Sequence, residues 1–351
     1  MRILVVKVAD IGDVLTATPA LRSLRRTFPN ASITALTSPH CVGLLQGTGL
    51  VDQTLALDKW QSRLPVALAV RLRGGRFDSM LLLHHLTTRG GVARYAALAT
   101  AVGAAVRAGL DNGRGWFLTH RAPDFGFGVR HEVDYCNDVA GLLGAPPDNG
   151  PMEFPLTAAD RLEAQRVLPA ARARVAIHAG SGSYSLARRW PLHRYAEVAQ
   201  GLAAGGVSVV VVGGPGEEDL GRAILCDVDL TGRTTLRQLG AVLETCDAFL
   251  GNDSGVMHIA AAVGTPVVAL FGPSNHGAWG PWDPSGRSVV VRAGLPCMPC
   301  IYRGHDLGTP RGCPNRTCLD LITVDQVLET VQGILVQGHV EPGAGHWTQP
   351  D

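Results

Sequence analysis

The chain has 351 residues, 46% of them apolar and 17% charged, which supplies two cores of ordinary domain size and rules out wholesale disorder. Its 31 basic and 30 acidic residues leave a net charge of +1, which argues against a protein built to coat nucleic acid while leaving room for a local basic patch. Only Lys7 and Lys59 are lysines, so the positive charge is nearly all arginine: either a trace of base composition or a preference for a side chain that grips phosphate with two parallel bonds.

The start, MRILVVKVADIGD, has too short an apolar run for a secretion signal, and no uninterrupted stretch is long enough to span a bilayer. A cytoplasmic location with mostly reduced cysteines is expected. Arg2–Val8 reads as a buried parallel strand. After a turn at Ala9–Gly12, a helical pattern runs from Asp13 to Phe28, with Leu15, Leu21, Leu24 and Phe28 on one side. Strands follow at Ser32–Thr37, Thr54–Leu57 and Ser79–His84, and helices at Leu64–Arg73, Val92–Val102 and Glu132–Leu143. The Pro/Gly/Asn-rich stretch Ala145–Pro155 reads as a linker.

Beyond it come a helix at Ala158–Leu168, a strand at Arg174–His178, a helix at Pro191–Ala204, and Val207–Val212, where five of six residues are valine. Ala248–Leu250, a helix after Ser254, Val267–Phe271, Ser288–Arg292 and a last helix at Thr323–Val336 complete the pattern, and residues 337–351 read as a disordered tail. Alternating β and α elements on both sides of a linker predict an α/β protein of two doubly wound domains, residues 1–155 and 156–336. In such pairs ligands are expected at the carboxyl ends of the strands, in the cleft between the domains.

Four constellations could carry chemistry. The turn Ala9-Asp10-Ile11-Gly12-Asp13 has one glycine where a dinucleotide fingerprint needs three. Gly12 lets the backbone approach a ligand, and Asp13 either faces that ligand or caps the helix. In Gly251-Asn252-Asp253-Ser254-Gly255-Val256-Met257-His258, the N–H groups near Ser254 and Gly255 make an anion site at a helix start. Asp253 could take a sugar hydroxyl and His258 the same ligand; the plainer reading is a capped, buried helix with a satisfied histidine. The loop after His178, with Ser181 and then Arg188-Arg189-Trp190-Pro191, has the small residues and arginines that a diphosphate needs. Glu217, in the Gly/Pro turn ending the next strand, could reach a ribose or base, or belong only to a turn. Finally Cys297, Cys300, Cys313 and Cys318 could hold a structural zinc or form reversible disulfides, but the second pair is spaced more loosely than the usual ligand pair, and plain thiols are the simpler reading.

Taken together these segments resemble glycosyltransferase family 9, the ADP-heptose:lipopolysaccharide heptosyltransferases. RILVVKVADIGDVLTATPAL is similar to that family's opening signature, GNDSGVMHIAAAVGTPVVALFGPSN to its donor-site signature, and the RRWP ending of Ser183–Pro191 to its basic-Trp-Pro element; a CMPC segment before the last helix recurs in many members. The similarity spans nearly the whole chain. It implies a GT-B architecture, with the acceptor on the first Rossmann-like domain and the nucleotide-sugar on the second. It also implies inverting transfer without a catalytic metal, Asp13 as the base, and Ser181, Arg188, Glu217, Thr234, Asp253, Ser254, Gly255 and His258 on the donor. Arg188 stands where the family usually has lysine, a change that keeps the charge and alters its geometry.

The expected partners are therefore ADP-heptose and a lipid-anchored, anionic core oligosaccharide, reached by peripheral contact with the inner face of the cytoplasmic membrane and with no nucleic acid involved. Arg89, Arg107, Arg114, Arg121 and Arg130 either form a basic surface for the acceptor or are scattered solvated charges. A soluble acceptor in natural-product assembly, or a nucleotide-sugar-binding protein without turnover, would fit the same residues.

Overall fold

A computed structural model of the chain describes residues 1–58, 64–182 and 184–337. The chain forms two compact units. The first holds Met1–Pro155 together with Asn275–Trp279 and Cys300–Thr309; the second holds Leu156–Ser274, Gly280–Pro299 and the chain from Pro310 on. Residues 275–279 and 300–309, read from the sequence as second-domain, thus pack with the first. Gln337, expected in the tail, closes the last helix, Val324–Gln337, and the tail from 338 lies outside the described residues, as does Ser183 in the diphosphate loop.

Six parallel strands build the first unit: β1 (Arg2–Lys7), β2 (Ser32–Thr37), β3 (Gln53–Ala56), β4 (Ser79–Leu82), β5 (Val106–Asp111) and β6 (His120–Pro123), in the order β3-β2-β1-β4-β5-β6. The second unit repeats the scheme with β7 (Arg174–His178), β8 (Ser208–Val211), β9 (Val228–Asp229), β10 (Ala248–Asn252), β11 (Val267–Leu270) and β12 (Val289–Val291), in the order β12-β11-β10-β7-β8-β9. A small antiparallel hairpin, β13 (Ile301–Arg303) with β14 (Asp306–Gly308), belongs to the first unit. Helices cover both faces of such sheets, so the central strands are apolar along most of their length and turn polar at their ends. Ile3, Leu4, Val5 and Val6 are buried, as is every residue of β10.

In each unit the strand order reverses once, between β1 and β4 in the first and between β7 and β10 in the second. The chain leaves adjacent strands in opposite directions at such a point, and a crevice opens at their carboxyl ends. Asp13 follows β1 at the first of these places, and the loops after His178 and Asn252 follow β7 and β10 at the second.

Sequence and structure differ in places. The long first helix is two, Ile11–Thr16 and Thr18–Thr27, divided at Ala17. Pro19 has no N–H for a continuing helix and sits in the first turn of a new one, where none is needed. β5 and β6 escaped the sequence reading because Arg107 and Arg121 interrupt their apolar runs, and both strands lie toward one edge of the sheet. The strand expected to end at His84 ends at Leu82, which frees two histidines for the crevice.

Candidate active site

In the first unit, β1 ends at Lys7 and its neighbour β4 ends two residues before His84-His85. A cavity of about 260 Å³ opens there, lined among others by Lys7, Asp13, His84, His85, Tyr95 and Glu132. The N-cap of the following helix is Asp10; Asp13 lies inside the first turn. Asp13 is thus not itself the N-cap, and its side chain, 28% exposed, faces the cavity. Gly12 beside it is buried.

Behind Asp13 runs a ladder of buried charges. Lys7 Nζ lies 4.0 Å from Asp13 Oδ1 and 3.8 Å from Glu132 Oε2. Glu132 Oε1 is 2.9 Å from His85 Nε2, and His85 Nδ1 is 2.9 Å from Asp124 Oδ1. Burial pulls the His85 pKa down, but the Glu132 charge and the hydrogen bonds to Asp124 and Glu132 outweigh it and raise it to about 9. Burial likewise opposes the charge on Lys7, while Cys136, Glu132 and Asp13 raise its pKa above the ordinary value. The Cys136 thiol is itself pushed up to about 12 by burial, so at neutral pH it is uncharged and the two carboxylates hold the lysine cationic. Burial disfavours the charge on Glu132, yet His85 and Lys7 keep its carboxyl below the usual range. Two buried cations thus face two buried carboxylates, and Asp13 is the remaining charge, on the cavity side. His84 accepts the Val8 N–H at 2.8 Å on Nε2 and stacks on Tyr95 at 5.0 Å; burial and the nearby Lys7 keep it neutral.

In the second unit, β7 ends at His178 and β10 at Asn252. Asn252 knits the crevice: its Nδ2 donates to the carbonyls of Ala179 and Gly180 at 3.0 and 2.9 Å, and its Oδ1 accepts the Trp190 N–H at 2.9 Å. Ser254 caps the helix Gly255–Ala262, its hydroxyl accepting from Met257 N, and that first turn starts at the carboxyl end of β10. Arg188 Nη1 lies 3.1 Å from Asp253 Oδ2, both side chains being nearly buried. His258 follows one turn later and is also buried.

Glu217 is committed more fully than the sequence suggested. One oxygen meets His178 Nε2 at 3.0 Å and the Gly214 N–H at 3.0 Å; the other meets Arg189 Nη2 at 3.1 Å. Burial would raise its pKa, but these partners, His178 foremost, hold the carboxyl below its usual range. Gly180 leaves room for it, since a Cβ there would fall 2.0 Å from Glu217 Oε1. The other nitrogen of His178 is 3.2 Å from Ser254 Oγ, so this histidine joins two residues singled out independently. The Ser181 hydroxyl donates to Ser185 O at 3.0 Å and accepts from Arg189 Nε at 3.2 Å, which makes it a brace of the loop. Thr234 is half-buried just before the helix Leu236–Glu244; Thr235 is the residue whose side chain caps that helix, in a box with Gln238.

The four late cysteines differ in their surroundings. Among the described residues no three His, Cys, Asp or Glu side chains gather as a metal set. Cys297 and Cys313 are exposed, Cys300 is intermediate, and Cys318 is buried in an apolar core. Native protein should therefore react quickly with a disulfide reagent at Cys297 and Cys313, while the buried Cys41, Cys136, Cys246 and Cys318 wait for unfolding. Slow labelling of Cys297 and Cys313 that a chelator accelerates would restore the zinc reading. The arginines considered for a basic surface are largely engaged: Arg107 and Arg114 donate to backbone carbonyls, and Arg121 and Arg130 pair with Asp111 and Asp138.

Residues 66–309 match the model of glycosyltransferase family 9 (heptosyltransferase). Lipopolysaccharide heptosyltransferase 2 of Escherichia coli K12 is 26% identical, over 96% of this chain and 99% of the relative. An Escherichia coli lipopolysaccharide heptosyltransferase 3 is 27% identical, over 78% of this chain and 84% of that protein. The solved structure of E. coli ADP-heptose lipopolysaccharide heptosyltransferase II superposes with a TM-score of 0.72 at 25% identity, covering 96% of this chain and 99% of the other. The family 9 glycosyltransferase of Veillonella parvula superposes with a TM-score of 0.74 at 23% identity, covering 96% and 97%.

Proposed function

The chain belongs to glycosyltransferase family 9 and is a glycosyltransferase of GT-B fold, and from that premise we propose that it moves a heptose from ADP-heptose to an inner-core sugar of lipopolysaccharide with inversion and without a catalytic metal. The observation that carries this reading is Asp13: a carboxylate at the switch point of the first sheet, inside the helix and past its cap, open to a cavity and backed by a buried lysine. As the acceptor oxygen attacks the anomeric carbon, Asp13 takes its proton, the bond from that carbon to the diphosphate oxygen breaks, and ADP leaves with the electron pair.

Arg188, Arg189 and the N–H groups at the start of the helix Gly255–Ala262 supply positive charge where the leaving diphosphate becomes more negative. Asp253 pre-orients Arg188, and a guanidinium has five donors, so one ion pair does not exhaust the fork. Glu217 and His178 act by holding Arg189 and Ser254 in place. Among the described residues no helix is long and apolar enough to cross a membrane. We place the enzyme at the cytoplasmic face of the inner membrane, where its lipid-anchored acceptor is assembled.

Mass spectrometry of the product formed from ADP-heptose and a deacylated inner-core oligosaccharide tests the reading. A single heptose added, with ADP released in equal amount, supports it. Hydrolysis of the donor with no transfer to any core acceptor overturns it.

The donor assignment makes its own prediction. Loss of a charged contact to a diphosphate is worth roughly 1.5–3 kcal/mol, so Arg188→Ala should weaken ADP binding about ten- to a hundredfold by calorimetry. It should also lower the melting temperature, because Asp253 is left buried without its cation. Replacing Asp253 by Ala as well should restore part of the stability and none of the affinity. Unchanged ADP affinity in a folded Arg188→Ala protein removes Arg188 from the donor site.

A further inference from the structure

Tyr302 has a backbone conformation that folding alone does not favour. Its φ is +61°, in the left-handed region that glycine adopts freely and aromatic residues rarely do. A tyrosine stands there nevertheless, in the wall of the cavity that contains Asp13. Its ring lies 5.2 Å from that of Phe127 and 5.7 Å from that of Trp279, and Phe127 is 4.4 Å from His85 of the charge ladder.

The backbone beneath these rings is built to hold them. Asn275, buried, donates to the carbonyls of both Tyr302 and Phe127, at 2.9 and 3.1 Å. Phe127 N donates to Gly304 O at 2.7 Å. Gly126 lies so close to Gly304 that a Cβ on it would come within 2.9 Å of that carbonyl. Strain of this kind persists where the surroundings over-determine it, and it concentrates at ligand clamps.

Resting on the reading of Asp13 as the acceptor's base, we infer that Tyr302, backed by the largely buried rings of Trp279 and Phe127, forms a stacking platform for the acceptor pyranose that carries the attacked hydroxyl. A pyranose ring is apolar on its C–H faces and polar around its rim. Aromatic rings match the face, and Asp13, Thr87 and Thr88, which line the same cavity, suit the rim. Such a platform acts before chemistry: it decides which ring is held and which hydroxyl turns toward Asp13. Tyr302 and Trp279 are thus specificity-determining residues contributed by the two segments, 275–279 and 300–309, that join the first unit from late in the chain.

Tyr302→Gly separates function from folding, because glycine relaxes the backbone while deleting the ring. The full-length variant should melt no lower than wild type, raise the acceptor KM at least tenfold, and leave ADP affinity unchanged. Tyr302→Phe should restore the acceptor KM to within about threefold. Calorimetric binding of deacylated inner-core oligosaccharide, which needs no turnover, should fall by the same factor in Tyr302→Gly and Trp279→Leu and persist in Asp13→Asn. If the oligosaccharide binds wild type and Tyr302→Gly equally, the platform is wrong and the acceptor reading of the cavity stands. If wild type itself does not bind it, the acceptor reading and the platform fall together.

Discussion

Replacing Asp13 by asparagine should reduce heptose transfer at least a hundredfold while leaving the melting temperature nearly unchanged and ADP affinity within about threefold. General-base catalysis is worth roughly 10²–10⁴-fold, or about 3–5 kcal/mol of barrier. Asparagine keeps the shape of the carboxylate and loses its basicity. The folded state should lose little: Asp13 adds a first-turn charge near the helix N-terminus, worth about 0.3–1 kcal/mol, and its contact to Lys7 is long and partly exposed. Single-turnover rates at saturating donor and acceptor measure the effect. More than a tenth of wild-type transfer remaining under those conditions would move the base elsewhere.

Glu132→Gln should be the most destabilising single change around the cavity, because it removes the anion between two buried cations. Breaking a buried pair from one side costs about 3–5 kcal/mol, which for a unit of this size lowers the melting temperature by roughly 10 °C. The pH dependence carries the more specific signature. The folded pKa of His85, about 9, lies above its ordinary value of 6.5, so its charge stabilises the fold in full below pH 6.5 and the benefit is lost as pH rises through 9. A rise of that size is worth at most about 3 kcal/mol. Glu132 and Asp124 are held below their ordinary values, so their contribution is present at neutral pH and is lost only in acid. Wild type should therefore lose stability between pH 6.5 and 10, and Glu132→Gln should show much less of that decline. Parallel melting curves for the two proteins across this range would show that Glu132 does not sustain the charge on His85.

Much of the scaffold was legible because buried parallel strands are continuous apolar runs. Arg2–Val8, Ser32–Thr37, Arg174–His178 and Val267–Phe271 stand out by composition alone, and the structure has strands at all four. What composition could not show is pairing across long sequence distances. His84-His85, Asp124 and Glu132 are unremarkable in their own segments; only the order of β1, β4 and β5 and the helix starting at Glu132 bring them behind Asp13. One signal was available. In a chain whose basic residues are otherwise almost all arginine, position 7 is a lysine, and its compact charge lies between the carboxylates of Asp13 and Glu132. The loops proposed for the donor were easier to find, since Gly, Ser and Arg clusters after strands mark a candidate site locally. Their internal wiring was not: nothing near His178 in sequence indicates that it bridges Ser254 and Glu217, 76 and 39 residues away.

The late joining of residues 275–279 and 300–309 to the first unit sets a rule for recombining this enzyme with its relatives. A chimera that exchanges residues 1–155 alone would import a foreign Asp13 and charge ladder while keeping the host's Trp279 and Tyr302, and the wall of the cavity would be of mixed origin. Carrying the two short inserts along, 15 residues placed far beyond the apparent crossover point, would transplant the cavity wall whole. Crossovers chosen from the domain boundary in sequence would split the very surface they aim to transfer.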